Sequence, residues 1–499
     1  IEFSDWSSDV CSSDLFFLCV CMTMKGLFFA IAVLAACALA NEQHDLFQRA
    51  VERSQADGGN TWVVLVAGST GWGNYRHQSS VCKAYQLAHQ AGVPDEHIIT
   101  FMADDIANNT QNPFPGKIFN EIYVEGGNNV NVYEGVVKDY IAKQASTKNL
   151  VNVLSGNPTT GGSGKTLRST ADDNVFVFYD DHGNSGIIGM PTGELFHDYD
   201  LATAFKAMEE KKMFKNLIFF MSACYSGSMF YKQNLPKNVY VATSAPTSTS
   251  SYACLRDSKL RTFLSSCWPH GWIHSIDEHG LNTDFGTIFE DSYNYARDNS
   301  PTVPCQYGDL DMKQKTFLGF MKNTDKFSAR RTFSAKPVHD KTAVPQYLVP
   351  YVLAKENYEN EPTEANYAAF KAEAETRLRV DRMVTEIVSQ AMPNNAFLAT
   401  AVCDTCDESC DCYSSCIKTG SVDHCSRYCC DYAACTGSKL QNDDEISCAL
   451  TLQRAFTESL DAELQQHPYI LSAGIQFNRL CRSGANIPAA LSAINRIAH

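Results

Sequence analysis

A thiol and an imidazole sit at equivalent places in this chain. Cys224 comes just after the apolar run 217–221, and Ser226, Gly227 and Ser228 follow it. His182 comes just after the apolar run 174–179, preceded by Asp180 and Asp181 and followed by Gly183. A thiol is a strong nucleophile only as the thiolate, and an imidazole beside it can take or hold the proton. The small residues leave backbone N–H groups open to a ligand. Those of Gly183 and Cys224 could hold the oxyanion formed when a thiolate attacks a carbonyl. Taken singly, such a cysteine is more often a buried structural thiol and such a histidine an ordinary turn residue. Taken together, the matched layout favours a Cys-His pair.

That pair needs two neighbouring strands running the same way. The runs 217–221 and 174–179 have the length and all-apolar character of strands buried on both faces. Adjacent and parallel, they bring His182 and Cys224 to one edge, and open α/β sheets keep their sites at the carboxyl ends of strands. Further strands are expected at 62–67, 98–102 and 239–243, and helices at about 78–90, 136–142 and 201–212. Strands alternating with helices predict an α/β fold, a mostly parallel sheet flanked by helices. Asp104 and Asp105 at a strand end read as loop or capping residues rather than metal ligands. The stretch 161–166 ends like a phosphate loop. Thr159 stands where that motif's first glycine belongs and no buried strand leads in, so nucleotide binding is rejected. No metal and no cofactor is expected.

Several motifs then carry a resemblance. His182-Gly183 after one strand and Ala223-Cys224-Tyr-Ser-Gly227 after the next are similar to the caspase-like cysteine peptidases. Trp72-Gly-Asn74-Tyr-Arg76-His77, Ser163-Gly-Lys165, Gly227-Ser-Met229 and Ser250-Ser-Tyr-Ala-Cys254 most resemble the legumains, the asparaginyl endopeptidases, within them. The resemblance is strong over about 62–320 and weak over the C-terminal third. It implies a caspase-like sheet and a C-terminal all-α prodomain that inhibits the enzyme. It implies that Asn74 orients His182, as third members of triads do, and that Asp181 supports a ligase-related chemistry. It places Arg76, beside His77, in the substrate pocket, with the hydroxyls of Ser250 and Ser251. It also places one pocket carboxylate where Ser222 stands and another nearest Ser266. Without those acids, Arg76 and a protonated His77 would lack an anionic counterpart, and a buried unpaired charge is costly. Cleavage after Asn, with unusually good cleavage after Asp, is therefore expected.

The remaining chain fits a secreted precursor. Residues 1–23 repeat a Ser-Ser-Asp pattern and read as a non-native leader. Residues 24–40 combine a basic start, an apolar core and Ala38-Leu39-Ala40, a signal peptide too short to span a membrane comfortably. No membrane anchor is expected. The 499 residues allow one large and one smaller domain. A formal net charge of -15 argues against nucleic acid and suits an acidic organelle. Twenty cysteines point to disulfides in an oxidising compartment. The expected address is the secretory pathway, leading to a lysosome, a vacuole or the outside. Asn108-Asn-Thr110 is one glycosylation sequon.

The expected division is a catalytic domain over 41–323, a linker or activation segment over 324–358 and a helical, Cys-rich prodomain over 359–499. Within the last, 361–390 reads as two helices. Residues 403–435 hold nine cysteines, read as disulfides rather than a zinc site. The resemblance puts Cys448 and Cys481 in disulfide positions. Three functions stand: a zymogen endopeptidase acting on proteins and peptides, a peptide ligase or transamidase on the same site, or an inactive binding protein. Self-cleavage on acidification is expected at Asn323, Asn357 or Asn360.

Overall fold

The computed structural model describes residues 59–231, 233–321, 342–392, 443–465 and 467–497. Strands β1 (Thr61–Ala67), β2 (Ile98–Met102), β4 (Asn174–Asp180), β8 (Asn216–Ser222) and β9 (Val239–Thr243) are buried end to end. Such strands show no polar alternation because both faces are covered. With β3 (Tyr140–Ile141) and β12 (Cys305–Gly308) they form a seven-stranded sheet in the order β12-β9-β8-β4-β1-β2-β3. Only β12 runs antiparallel to its neighbour. The fold is thus the mostly parallel α/β sheet expected, and it places β4 against β8 at its centre.

Helices close both faces. On one side α1 (Tyr75–Gln90), α4 (Cys267–His279) and α5 (Phe285–Asn299) bury Tyr75, Val81, Trp268, Trp272 and Ile288 against Phe176, Phe178 and Phe220. On the other, α2 (Thr147–Leu154) and α3 (Asp198–Glu210) bury Leu150, Leu201 and Met208 against Val175, Val177 and Phe219. Two three-stranded sheets decorate the core. One joins β5 (Gly183–Asn184), β6 (Ile187–Gly189) and β7 (Leu195–His197), and the other orders β11 (Thr262–Ser266), β10 (Tyr252–Asp257) and β13 (Val344–Pro345). A short helix α6 (Phe317–Met321) follows β12. A disulfide between Cys254 and Cys267 ties β10 to α4.

C-terminal helices α7 (Val349–Asn360), α8 (Glu364–Ala391), α9 (Asp443–Ser459), α10 (Ala462–Gln465), α11 (Ala473–Arg482) and α12 (Ile487–Ile497) complete the described chain. Four of them, α8, α9, α11 and α12, share an apolar core around Val384, Phe456, Phe477 and Ile494. The Cys448–Cys481 disulfide links α9 to α11, as the resemblance implied.

Three local expectations are corrected. Residues 136–142 hold no α-helix. Asp139 accepts the backbone N–H of Thr100, and Tyr140 and Ile141 extend the sheet instead. The span 361–390 is one helix, α8. Its 28 residues contain no glycine or proline to interrupt it, and Thr363 caps it by accepting from Asn366 N–H. Part of the expected linker is ordered, because residues 344–360 form β13 and α7. The leader, the apolar run 26–40, Asn323 and the cysteines of 403–435 lie outside the described residues. Among the described residues no helix is long and apolar enough to cross a membrane.

Candidate active site

The register of β4 and β8 fixes the site. Asp180 pairs with Ser222, so His182 and Cys224 each follow two residues beyond a matched pair. Gly183 lies hard against the second strand's exit. A Cβ there would stand 2.8 Å from the Cys224 carbonyl oxygen and 2.9 Å from the Ala223 Cβ. After Cys224 the chain turns sharply through Tyr225, held at φ 58° in the left-handed region. That strained turn is held by Tyr225 N–H donating to the Thr249 carbonyl. The Sγ of Cys224 accepts from Ser251 N–H at 3.3 Å and lies 3.7 Å from Ser251 Oγ. Ser251 thus touches the thiol.

Asn74 arrives from the loop after β1, at the start of α1. Its Oδ1 lies 2.8 Å from His182 Nε2, while its own amide donates to the Thr70 carbonyl. An amide oxygen can only accept, so Nε2 carries the proton. The other ring nitrogen, Nδ1, is buried and has no hydrogen-bond partner. It is the basic nitrogen left for a thiol proton.

Arg76 and His77 enter from the first turn of α1 and are fully buried. One Arg76 nitrogen, Nη1, donates to the Gly73 carbonyl at 2.8 Å, and Nε has no partner. Burial pulls the guanidinium down to about 10, and Asp180 and Asp181 oppose that pull. His77 Nδ1 lies 2.6 Å from Ser69 Oγ and 3.1 Å from Asp181 Oδ1. Burial and the Arg76 charge push His77 well below its ordinary range, so it is neutral. Asp181 fits because glycines surround it. A Cβ at Gly68 or Gly189 would meet its Oδ2 at 2.5 or 2.3 Å.

Arg76 makes no ion pair with a carboxylate among the described residues, and Asp180 and Asp181 act on it only at a distance. Ser222 and Ser266 do stand where acids were sought, but Asp180 fills the space between them. Its carboxylate accepts from Ser266 Oγ at 3.0 Å, and Ser222 is its partner in register. Burial pushes Asp180 up to about 7, against the pull of Ser222, Arg76, Ser80 and Ser266. Asp181 is pushed up to about 6 by burial, against His182, Ser69 and Arg76. His182 is held well below its usual range by burial and by Arg76, and burial raises the Cys224 thiol. The pair is thus a neutral imidazole beside a neutral thiol. His77, Asp181 and His182 bring one ligand atom each within 4.8 Å of one another, close enough to share a metal ion. Ser69, Asn74 and Gln346 already occupy ring nitrogens there, which marks a hydrogen-bonded protein site.

Gln346 is the residue the sequence did not single out. Its Oε1 accepts from Arg76 Nη2 at 2.9 Å and lies 3.0 Å from His77 Nε2, and its Nε2 donates to Ser251 Oγ at 2.7 Å. Its backbone N–H donates to the Ser251 carbonyl, and Pro345 and Val344 pair antiparallel with Tyr252 and Ala253. Val344 and Pro345 are thus a short strand added to the edge of β10, and Gln346, which opens the 3-10 turn after it, puts its amide side chain beside Cys224. Val349 and Leu353 of α7 pack on Ala253 and Phe263. Arg256 pairs with Glu356, and Arg261 with Glu361 at 2.6 Å. On the other flank Asn184 donates to the Leu471 carbonyl, Asn478 to Ser185 and Arg454 to Asp198. Ile187 joins the apolar core of the C-terminal helices. Residues 344–482 supply these contacts on both flanks of the site. A proline-glutamine step carries no sequence signal for such a role.

Comparison with known proteins supplies the context. The chain matches the description "Peptidase C13 family" over residues 61–323. It is 37% identical to legumain of Mus musculus over 304 residues, covering 60% of this chain and 67% of that one. It is 35% identical to legumain of Bos taurus over 339 residues, covering 67% of this chain and 76% of that one. It is 32% identical to the vacuolar-processing enzyme delta-isozyme of Arabidopsis thaliana over 388 residues, covering 72% and 81%.

Proposed function

This chain belongs to the Peptidase C13 family and is a legumain-like cysteine endopeptidase, and on that premise we propose that it is a latent enzyme that cuts peptide bonds after Asn through Cys224, His182 and Asn74. His182 Nδ1 takes the Cys224 proton, and the thiolate attacks the scissile carbonyl carbon. The N–H groups of Gly183 and Cys224 hold the oxyanion. The C–N bond breaks as the imidazolium gives its proton to the departing amine. Water, its proton taken by the same nitrogen, then hydrolyses the thioester. Asn74 keeps the ring in the tautomer this requires.

One observation carries the specificity. The side chain seated in the pocket is itself a carboxamide, with its oxygen on Arg76 and His77 and its nitrogen on Ser251. Asn carries the same amide on a shorter stem. Gln346 would then act as an unproductive occupant that blocks the pocket in the precursor. Latency has a second support. Burial under the C-terminal region disfavours the charged thiolate–imidazolium pair, and opening would readmit water to both groups. Three ion pairs hold the cover across the boundary, Asp198 with Arg454, Glu356 with Arg256 and Glu361 with Arg261, and the proposed trigger for its release is acid. Asn357 and Asn360 lie in α7 and would have to unwind before entering a cleft that takes extended chain. The proposed setting is a lysosome, a vacuole or the exterior, reached by secretion, with proteins and peptides as substrates.

The test is to incubate the purified precursor from neutral to acid pH. Matched peptides with Asn, Gln, Asp or Ala before the cut are then assayed. Acid-dependent release of the C-terminal region followed by preferred cleavage after Asn is expected. A precursor that stays whole in acid, or an enzyme that cuts all four peptides alike, would sink the proposal.

A further inference from the structure

We propose that Asp105 is a positioning residue for the cleavage reaction, which it serves by fixing the peptide unit on which Asn74 leans. This role rests on the peptidase reading above and deepens it by naming a residue outside the pocket that sets the geometry of the His182 ring. Asn74 Oδ1 lies 2.8 Å from His182 Nε2, and Asn74 Nδ2 donates to the Thr70 carbonyl at 2.8 Å. That second bond decides which end of the amide faces the ring, since only the amide oxygen can accept the Nε2 proton. The Thr70 carbonyl belongs to the peptide unit shared with Gly71. The N–H of that same unit donates to Asp105 Oδ2 at 2.6 Å. A peptide unit is planar, and in the trans form its C=O and N–H point to opposite sides. Holding the N–H therefore holds the C=O. Asp105 thus reaches His182 through three hydrogen bonds, linked by one rigid peptide plane and the planar amide of Asn74.

The fold explains why Asp105 is within reach. Strands β1 and β2 are parallel neighbours, with Val66 opposite Phe101, so the chain leaves both at the same edge of the sheet. Beyond β2, Asp104 has φ 59°, in the left-handed region that Asp enters more readily than most residues. Tyr133 donates to Asp104 Oδ1 at 2.6 Å, and Asn109 donates to the Asp105 carbonyl at 3.1 Å. These bonds fix the segment that carries Asp105. Beyond β1, the loop turns at Gly71, φ 85°, and closes with Asn74 N–H donating to the Gly71 carbonyl at 2.9 Å. A Cβ at Gly71 would touch nothing, so the glycine is needed for its backbone angle alone. Past the turn, the Trp72 indole N–H donates to the Leu260 carbonyl and anchors the chain there. Before it, the anchor is Asp105. Its other oxygen, Oδ1, accepts from Gln78 Nε2 at 2.6 Å, which joins the same loop to the first turn of α1. Asp105 touches neither the imidazole nor the thiol, and its effect on them passes through Asn74.

The experiment measures kcat and KM on one Asn peptide for wild type, Asp105→Ala, Asp105→Asn, Asn74→Ala and Asp105→Ala combined with Asn74→Ala. Each full chain is activated in acid by immobilised wild-type protein, so that slow self-cleavage does not limit the assay. Asp105→Ala should lower kcat roughly tenfold, the scale of a slightly misplaced catalytic group, with KM within about threefold of wild type. Its loss should not exceed that of Asn74→Ala, the residue through which it acts. With Asn74 already gone, removing Asp105 should lower kcat by no more than about a further twofold. Asp105→Asn should recover kcat to within about threefold of wild type, because its oxygen can still accept from Gly71 and its nitrogen can donate to Gln78. Gln78 Oε1 is buried without a partner, so a turn of that amide supplies the acceptor. A residue that merely braced the loop would cost stability and give the same loss of kcat with and without Asn74. Equal losses in the two backgrounds would therefore overturn the inference. So would a folded Asp105→Ala with kcat within about twofold of wild type, or an Asp105→Asn no better than Asp105→Ala. Should Asp105→Ala fail to fold, Asp105→Glu keeps both acceptors but displaces them by one methylene. It should lower kcat about fivefold or more where Asn74 is present, and wild-type kcat in that folded variant would overturn the inference. A wild-type protein that does not cut the peptide would overturn the peptidase reading and this role with it. Normal wild-type cleavage with any of the contrary variant results would overturn this role alone.

Discussion

Replacing Gln346 by Ala should open the active site without touching the catalytic groups. The side chain makes one bond with a charged donor, Arg76 at 2.9 Å, and two with neutral groups, His77 at 3.0 Å and Ser251 at 2.7 Å. A bond to a charged group contributes about 1.5–3 kcal/mol and a neutral one about 0.5–1.5 kcal/mol. Water entering the vacated space restores part of that sum, which leaves about 2–3 kcal/mol lost from the closed state. Opening should become roughly 30- to 150-fold more frequent. The rest of the cover stays: β13 keeps its pairing with β10, and Val349 and Leu353 keep their contacts with Ala253 and Phe263. The variant should therefore be leaky rather than fully active. The assay is the rate at which a peptidyl alkylating agent ending in Asn labels Cys224 in uncut precursor at neutral pH. An unchanged rate in a folded Gln346→Ala protein would refute the assignment of Gln346 as the plug and shift the barrier to the helices.

Three further outcomes are expected. Cys224→Ala and His182→Ala should each lower kcat by several orders of magnitude with the fold intact, and Asn74→Ala should cost less because nucleophile and base remain. Steady-state kinetics and thermal unfolding check both points. Gly183→Ala should lose activity at least a hundredfold, because its Cβ would strike the Cys224 carbonyl at 2.8 Å and the Ile187 carbonyl at 3.1 Å, both backbone atoms that cannot step aside. Wild-type activity in that variant would rule out the proposed oxyanion site. Stability should also depend on pH through Asp180, which burial pushes up to about 7 from its ordinary value of 3.8. The folded chain holds a proton there that the unfolded chain has released, so this contribution is present below the lower value and is lost as pH rises through the upper one. His77 and His182, both shifted down, pull the opposite way in acid. The informative quantity is thus the difference between Asp180→Asn and wild type, which should favour the variant increasingly as pH rises, by at most a few kcal/mol. A difference that does not change with pH in urea titrations would contradict it.

What could be read from sequence alone depended on how local the information was. The buried strands β4 and β8 announce themselves by unbroken apolar runs, and their parallel pairing follows from the helix between them. His182, Gly183 and Cys224 came with those strands. Asn74, Arg76 and His77 came from a resemblance, since nothing in their spacing ties an α1 residue to β4. Asp180 lay in plain view beside Asp181. Its surroundings depend on Ser266, 86 residues away, and on the register with Ser222. The sequence reading looked for charges at fixed positions and could not see that Asp180 on the adjacent strand meets both serine positions. Gln346 was invisible for the same reason on a larger scale, because it meets Arg76 across 270 residues. The failed helix at 136–142 is different in kind. Its local pattern was weak, and pairing with β2 outweighed it.

The central claim is that Cys224 is the nucleophile, activated by His182 once the cover leaves. The most direct measurement is mass spectrometry of the acid-activated protein after reaction with an electrophilic peptide ending in Asn. A single adduct on Cys224 is expected, formed far more slowly in His182→Ala and in precursor held at neutral pH. An adduct on Cys82, the other free buried thiol among the described residues, or labelling of Cys224 at equal rates with and without His182, would contradict it.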